Sequence, residues 1–283
     1  TNQGYSLDSD WYTDNEAFQK HWLARITDVI DKYQPDLLYS DGGVPFGDIG
    51  LRAIAHLYNT SAALHGVNQA VYNQKDTNPD VYTIGVLDIE RGQREDIAEH
   101  PWQTDTSVGD WFYNVKDVYK TPRQVLESLV DIVSKNGNLL LNIPQRPDGT
   151  LDDECTYLLK QMAAWMPANG EGLFGSRPWT VAGEGASTAE AGAFKEAAVE
   201  WTPADFRFTQ KGDILYAYQM RHPDDGQAVI RALSSALSRR VSGVRLLGQG
   251  NVPFTQTAAG LTLTLPPSFL PAEGPHGFAI TQE

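Results

Sequence analysis

The chain has 283 residues, of which 41% are hydrophobic and 10% aromatic, and it carries a formal net charge of −14. This composition excludes wholesale disorder, and the length supports one large or two ordinary domains, of which two is the reading adopted. The acidic balance gives nucleic-acid backbones and anionic membrane surfaces no electrostatic support. No apolar run approaches the roughly 18 residues of a membrane span, and the first residues lack a basic-then-apolar leader pattern. The expectation is a soluble protein, cytoplasmic or exported after removal of a signal, acting on a neutral partner.

Taken in chain order, Phe18, Trp22, Ile26, Val29, Ile30 and Tyr33 recur at three- and four-residue spacings and predict an amphipathic helix over residues 14–33, stopped by Pro35. A short apolar strand over residues 36–41 follows and runs into Gly42 and Gly43, with a helical stretch near residues 48–59 behind it. Further strands are predicted over residues 67–73 and 81–90. A helix starts with Pro122 in its first turn and turns Val125, Leu126, Leu129, Val130 and Val133 toward the core. Gly137 ends that helix, and residues 138–143 read as a fully buried parallel strand. Pro147-Asp148-Gly149 turns the chain, and Asp152 favours the start of the next helix.

In that last helix Cys155 shares a face with Leu158, Leu159, Met162, Trp165 and Met166, which marks it as a core thiol. A single cysteine excludes an intrachain disulfide. The six histidines show no metal-ligand spacing, so neither a structural nor a catalytic metal is expected.

Alternating helices and parallel strands predict a (β/α) barrel-like domain over residues 1–172. Beyond it, short alternating runs at residues 206–209, 214–220, 228–233, 241–247 and 261–265 predict an antiparallel β-sandwich over residues 173–283. The fold class is therefore α/β plus all-β. A complete eight-stranded barrel takes about 250 residues, whereas the first segment has room for about five strands, so the barrel is partial. Exposed strand edges of that kind invite pairing. The expectation is a homo-oligomer, or another polypeptide, that completes or covers the open half, unless the chain is a cleaved product.

Asp41 stands out because an ionisable group at the carboxyl end of a parallel strand, beside a glycine loop, sits where barrels and open α/β sheets place their chemistry. Asp41-Gly42-Gly43 equally fits an ordinary turn. The wider pattern bears on that choice. Residues 32–42, 101–109, 133–143 and 172–179, in that order, resemble the α-L-fucosidases, family 29 of the glycoside hydrolases. Residues 205–209 and 214–218 resemble the β-rich carboxyl-terminal domain of that family.

The resemblance implies an exo-acting, retaining α-L-fucosidase that removes terminal α-L-fucose from glycans or glycosides by double displacement and needs no cofactor. It assigns the nucleophile to Asp41. Retaining hydrolysis also needs a second, protonated carboxyl group about 5–5.5 Å away. Glu90, at the carboxyl end of the third predicted strand, is the first choice, at a position that varies within the family. Alternation places Asp88 on the same strand face, and neighbouring carboxylates tend to raise one another's pKa. Glu90 could instead pair with Arg91. Asp88 is the reserve acid, Glu95 and Glu99 are looser ones, and Asp105 is a further site candidate unless Thr104-Asp105-Thr106 only braces a loop.

Tyr39 and Trp111 are the expected aromatic walls for the sugar methyl and ring. Lys75 and Asn68 are candidates for binding a sugar hydroxyl, and Trp102 reads as packing. Two other functions stay open. One is a catalytically incompetent fucose- or glycan-binding or assembly subunit; the other is a hydrolase of another deoxy sugar or of a galactose-type sugar.

Overall fold

The computed structural model describes residues 13–75, 83–269 and 273–283. The chain divides between Asp88 and Ile89 into two compact units.

In the first unit, α1 (Glu16–Tyr33) begins at Asn15, whose side chain accepts the Phe18 N–H at 3.1 Å. It ends at Gln34, which turns left-handed (φ 48°) one residue before Pro35. Strands β1 (Leu37–Ser40), β2 (Val71–Gln74) and β3 (Val86–Leu87) form a parallel sheet in that order, with α2 (Asp48–His65) connecting β1 to β2. Ile30, Ile54, Leu57, Ala70 and Tyr72 form the core between the helices and the sheet.

Two expectations shift here. The strand expected over residues 67–73 starts at Val71, because Asn68 first closes a turn by donating to the Ala70 carbonyl and accepting the Ala70 N–H. The strand expected over residues 81–90 is in the sheet only at Val86–Leu87, with Glu90 on a turn; residues 81 and 82 lie outside the described residues. Strand alternation therefore does not carry through to Glu90.

The second unit opens with residues 89–91 lying along β4 (Trp102–Ser107): the Ile89 N–H donates to the Gln103 carbonyl and the Arg91 N–H to that of Asp105, both at 2.9 Å. Strand β4 pairs in parallel with β5 (Gly137–Asn142) along six residues. All six β4 residues are buried although five of them, Gln103, Thr104, Asp105, Thr106 and Ser107, are polar; this strand was not predicted, since it has no apolar run to announce it.

Helix α3 (Pro122–Ser134) starts with a reciprocal cap between Thr121 and Gln124. Asp152 caps α4 (Asp153–Asn169) by accepting the Cys155 N–H at 2.8 Å. Cys155 is fully buried against Val108, Val125 and Leu158, and burial pushes its thiol up to about 11.

After α4 the strands become antiparallel. They are β6 (Arg177–Glu184), β7 (Phe206–Lys211), β8 (Ile214–Gln219), β9 (Gln227–Ile230), β10 (Val241–Leu246), β11 (Gly250–Asn251), β12 (Phe254–Thr257), β13 (Gly260–Thr264) and β14 (His276–Gln282). One sheet runs β11-β10-β14-β8-β7-β6 and the other β12-β13-β9. Phe206, Phe208, Ile230, Leu246, Leu263 and Phe278, from both sheets, share one core.

The expected boundary at residues 172 and 173 marks a change of strand character rather than a gap in packing. Leu126 and Val130 of α3 and Trp165 of α4 share a core with Tyr216 and Tyr218 of β8 and Ala279 of β14. The fold is thus mixed helix and parallel sheet, joined to antiparallel sheet. The parallel strands of the described residues form ladders of three and two.

Candidate active site

In the first unit the end of β1 projects Asp41 into solvent, its side chain 75% exposed. Gly42 lets the chain turn there, with the Gly42 carbonyl accepting the Lys75 N–H at 2.8 Å. That backbone bond holds Lys75 beside β1, and its Nζ lies 2.9 Å from one Asp41 carboxylate oxygen. The same ammonium sits 6.0 Å from the centre of the Tyr39 ring. Tyr39, two residues before Asp41 and on its strand face, donates its hydroxyl to Asp88 Oδ2 at 2.7 Å. Asp88 is buried, and its N–H donates to the Gln74 carbonyl.

Asp41, Tyr39, Lys75 and Asp88 therefore form one connected group at the carboxyl ends of parallel strands. A cavity of about 250 Å³ opens beside Asp41 and is lined by Trp22, Tyr39, Ser40, Pro45 and Tyr72. Asn68 is at the other end of the sheet, before β2, where it braces its own turn.

In the second unit a cavity of about 670 Å³ is lined by Arg91, Trp111, Lys120 and Glu196 among others, a volume in the range of small-molecule pockets. Arg91 has a left-handed backbone (φ 43°), and its guanidinium carbon lies 4.6 Å from the centre of the half-buried Trp111 ring. It also donates to the Gly109 carbonyl at 2.8 Å. Glu196 receives the Thr106 hydroxyl at 2.8 and 3.0 Å and the Lys120 ammonium at 3.0 Å, with the Arg91 guanidinium 3.8 Å away.

Glu90 is half-buried on the turn before Arg91, and its carbonyl accepts the Phe194 N–H at 2.8 Å. Asp105 is buried within β4, while its neighbours Thr104 and Thr106 bond the Ile89 carbonyl and Glu196. Glu95 and Glu99 are exposed on bends. Trp102 is buried, its indole N–H donating to the Lys135 carbonyl at 2.9 Å.

No pattern in the chain pointed to Glu196 or Lys120. Each is an ordinary charged residue in a loop, with no periodicity or motif, and only folding carries it to the cavity. Among the described residues no group of three or more His, Cys, Asp or Glu is arranged to hold a metal ion, and no helix is long and apolar enough to cross a membrane.

A family model described as alpha-L-fucosidase matches residues 2–171. The chain belongs to the alpha-L-fucosidase family. Its members among the curated proteins include the tissue alpha-L-fucosidases of Rattus norvegicus and Homo sapiens. The first is 28% identical over 275 residues, covering 92% of this chain and 55% of that protein. The second is 27% identical over 266 residues, covering 89% and 52%.

A solved alpha-L-fucosidase of glycoside hydrolase family 29 from Bacteroides thetaiotaomicron, held as a trapped covalent intermediate with 2-fluoro-fucosyl fluoride, superposes with a TM-score of 0.72. It is 15% identical, with 100% of this chain and 65% of that one covered. The chain thus spans about half the length of the curated fucosidases it matches. The family model stops at residue 171, beside the change from parallel to antiparallel strands.

Proposed function

We propose that the protein is an exo-acting, retaining α-L-fucosidase for terminal α-L-fucose on glycans or glycosides. The observation that carries this reading is the exposed Asp41 carboxylate at the end of β1, paired through one oxygen with Lys75, in a chain of the fucosidase family. The oxygen not engaged by Lys75 is the one available for attack.

In the first step an Asp41 oxygen bonds to the anomeric carbon and the bond from that carbon to the leaving oxygen breaks, while Glu90 gives that oxygen its proton. In the second step Glu90 takes a proton from water, the water oxygen bonds to the anomeric carbon, and the ester to Asp41 breaks. The Bacteroides relative, caught as a covalent intermediate, supports the double-displacement route. Tyr39 and Trp111 are assigned to the sugar's apolar faces and Lys75 to orienting Asp41. Asn68 has no role in this scheme, because it closes a turn ahead of β2.

The two parallel ladders are read as part of a (β/α) barrel, and the antiparallel sheets, which share a core, as a β-sandwich domain from about residue 173; the end of the family match at residue 171 supports that division. Self-association is included in the proposal because among the described residues β1 is an end strand of its sheet and Leu37 on it is 48% exposed.

A second reading, a fucose- or glycan-binding or assembly subunit without turnover, is favoured by the chain spanning only about half of its relatives' length. Release of an aryl group from an aryl α-L-fucoside separates the two, measured beside Asp41→Ala and Glu90→Ala, with solution mass determined for each. Activity lost in Asp41→Ala and restored by azide supports the enzyme. A folded, inactive wild-type chain that still binds fucose supports the subunit.

A further inference from the structure

The loop over residues 185–205, between β6 and β7, lies beyond the stretch matched by the family model, yet it grips the turn that carries Glu90. Gly192 donates its N–H to the Gln93 carbonyl at 2.9 Å, Phe194 donates to Glu90 at 2.8 Å, and Glu196 donates to Arg91 at 2.9 Å. A single antiparallel bridge between Gln93 and Gly192, with the two bonds that follow it, lays the loop beside residues 90–93.

Glu196 then extends its carboxylate to Thr106 on β4, to Lys120 at 3.0 Å and toward Arg91 at 3.8 Å. Its side chain is only 21% exposed, as are those of Arg91 at 24% and Lys120 at 22%. Two largely desolvated cations need such a carboxylate partner. Arg91 also needs holding because its left-handed backbone is unfavourable for a residue with a Cβ, while its side chain lies over Trp111.

We infer that Glu196 is a positioning residue for the reaction: it locks Arg91 against Trp111 and thereby fixes the Glu90 turn from which the proton is delivered. The β-rich part of the chain thus completes the site rather than only supporting it. This rests on the assignment of Glu90 as acid/base. General acid catalysis matters most when the leaving group is a poor one, because a good one departs without a proton. Mispositioning of Glu90 should follow the same rule, whereas loss of packing alone would affect all substrates alike.

The test compares wild type with Glu196→Gln, Glu196→Asp and Glu90→Ala on 2,4-dinitrophenyl and methyl α-L-fucosides, with backbone hydrogen exchange measured on all four proteins. In Glu196→Gln, kcat/KM on the methyl fucoside should fall about tenfold to a hundredfold, with a change under about threefold on the dinitrophenyl fucoside. Amides of residues 90–93 and 109–111 should exchange faster, and Glu196→Asp, which keeps the charge, should recover part of both effects. Equal losses on the two substrates, or unchanged exchange at residues 90–93, would overturn the inference. If Glu90→Ala shows the leaving-group dependence and Glu196→Gln does not, the inference alone fails. If Glu90→Ala lacks it, the acid/base assignment fails and takes the inference with it.

Discussion

Asp131 on α3 is the most exacting test of the packing behind the larger cavity. Its side chain is 1% exposed, and it accepts from Lys135 Nζ at 2.9 Å and from Arg207 Nε in a short contact. Lys135 and Arg207 are themselves only 4% and 5% exposed. Arg207 also donates to the Phe206 and Ser187 carbonyls and lies 4.5 Å from the centre of the Trp201 ring. Asp131→Ala leaves two cations out of water with their shared anion gone, and breaking a buried pair in this way costs about 3–5 kcal/mol.

For a unit of this size each kcal/mol moves the midpoint by about 2–4 °C, so the melting temperature should fall by roughly 10 °C. Thermal and urea unfolding followed by tryptophan fluorescence suits the measurement, because Trp102, Trp111, Trp165, Trp179 and Trp201 all belong to the second unit. The triple variant Asp131→Leu, Lys135→Met, Arg207→Met removes charge and desolvation penalty together and should recover most of the loss. A cost below about 1 kcal/mol for Asp131→Ala, or a triple variant less stable than Asp131→Ala, would refute the reasoning.

Gly92→Ala places a Cβ against the Gly192 carbonyl, so the loop at residues 192–196 must move; a stability loss of about 1–3 kcal/mol is expected in urea unfolding, with faster exchange at residues 90–93. Lys75→Met removes the cation held on Asp41 and should lower kcat on an aryl α-L-fucoside more than it changes KM, whereas a change in KM alone would remove Lys75 from the mechanism. Burial first, then the nearby His222, pushes His276 down from 6.5 to about 3. Between those values the unfolded chain binds a proton that the folded chain refuses, so this contribution is fully present above pH 6.5 and is lost as pH falls toward 3. Urea midpoints measured from pH 7 to pH 4 should therefore fall less steeply in His276→Gln than in wild type.

Much of the helical framework was legible because its signals are local. The spacing from Phe18 to Tyr33 gave α1, Pro122 and the apolar stripe gave α3, and the glycines after Asp41 marked the turn at the end of β1. The antiparallel runs at residues 206–209 and 214–220 read correctly for the same reason, since Phe206, Phe208, Leu215 and Ala217 alternate into one core. Strand β4 was hidden because Trp102 is its one apolar residue, and Thr104 and Thr106 are buried through hydrogen bonds to the Ile89 carbonyl and Glu196, not through apolar surface. The third strand was overextended because the apolar alternation of residues 86–90 continues after the ladder has given way to a turn.

The family, the place of Asp41 at a strand end and the change of strand character near residue 172 were legible in the order of residues, because each depends on residues close together in the chain. Tertiary structure decided what surrounds those residues. Lys75 reaches Asp41 because β1 and β2 run parallel in register, with Ser40 beside Gln74. Glu196 reaches Thr106, Lys120 and Arg91 because a loop of the antiparallel sheet folds back along residues 90–93. A charged side chain carries no periodic signature of its partner, so in both places the ion pair is specified only when the backbone brings the two charges together.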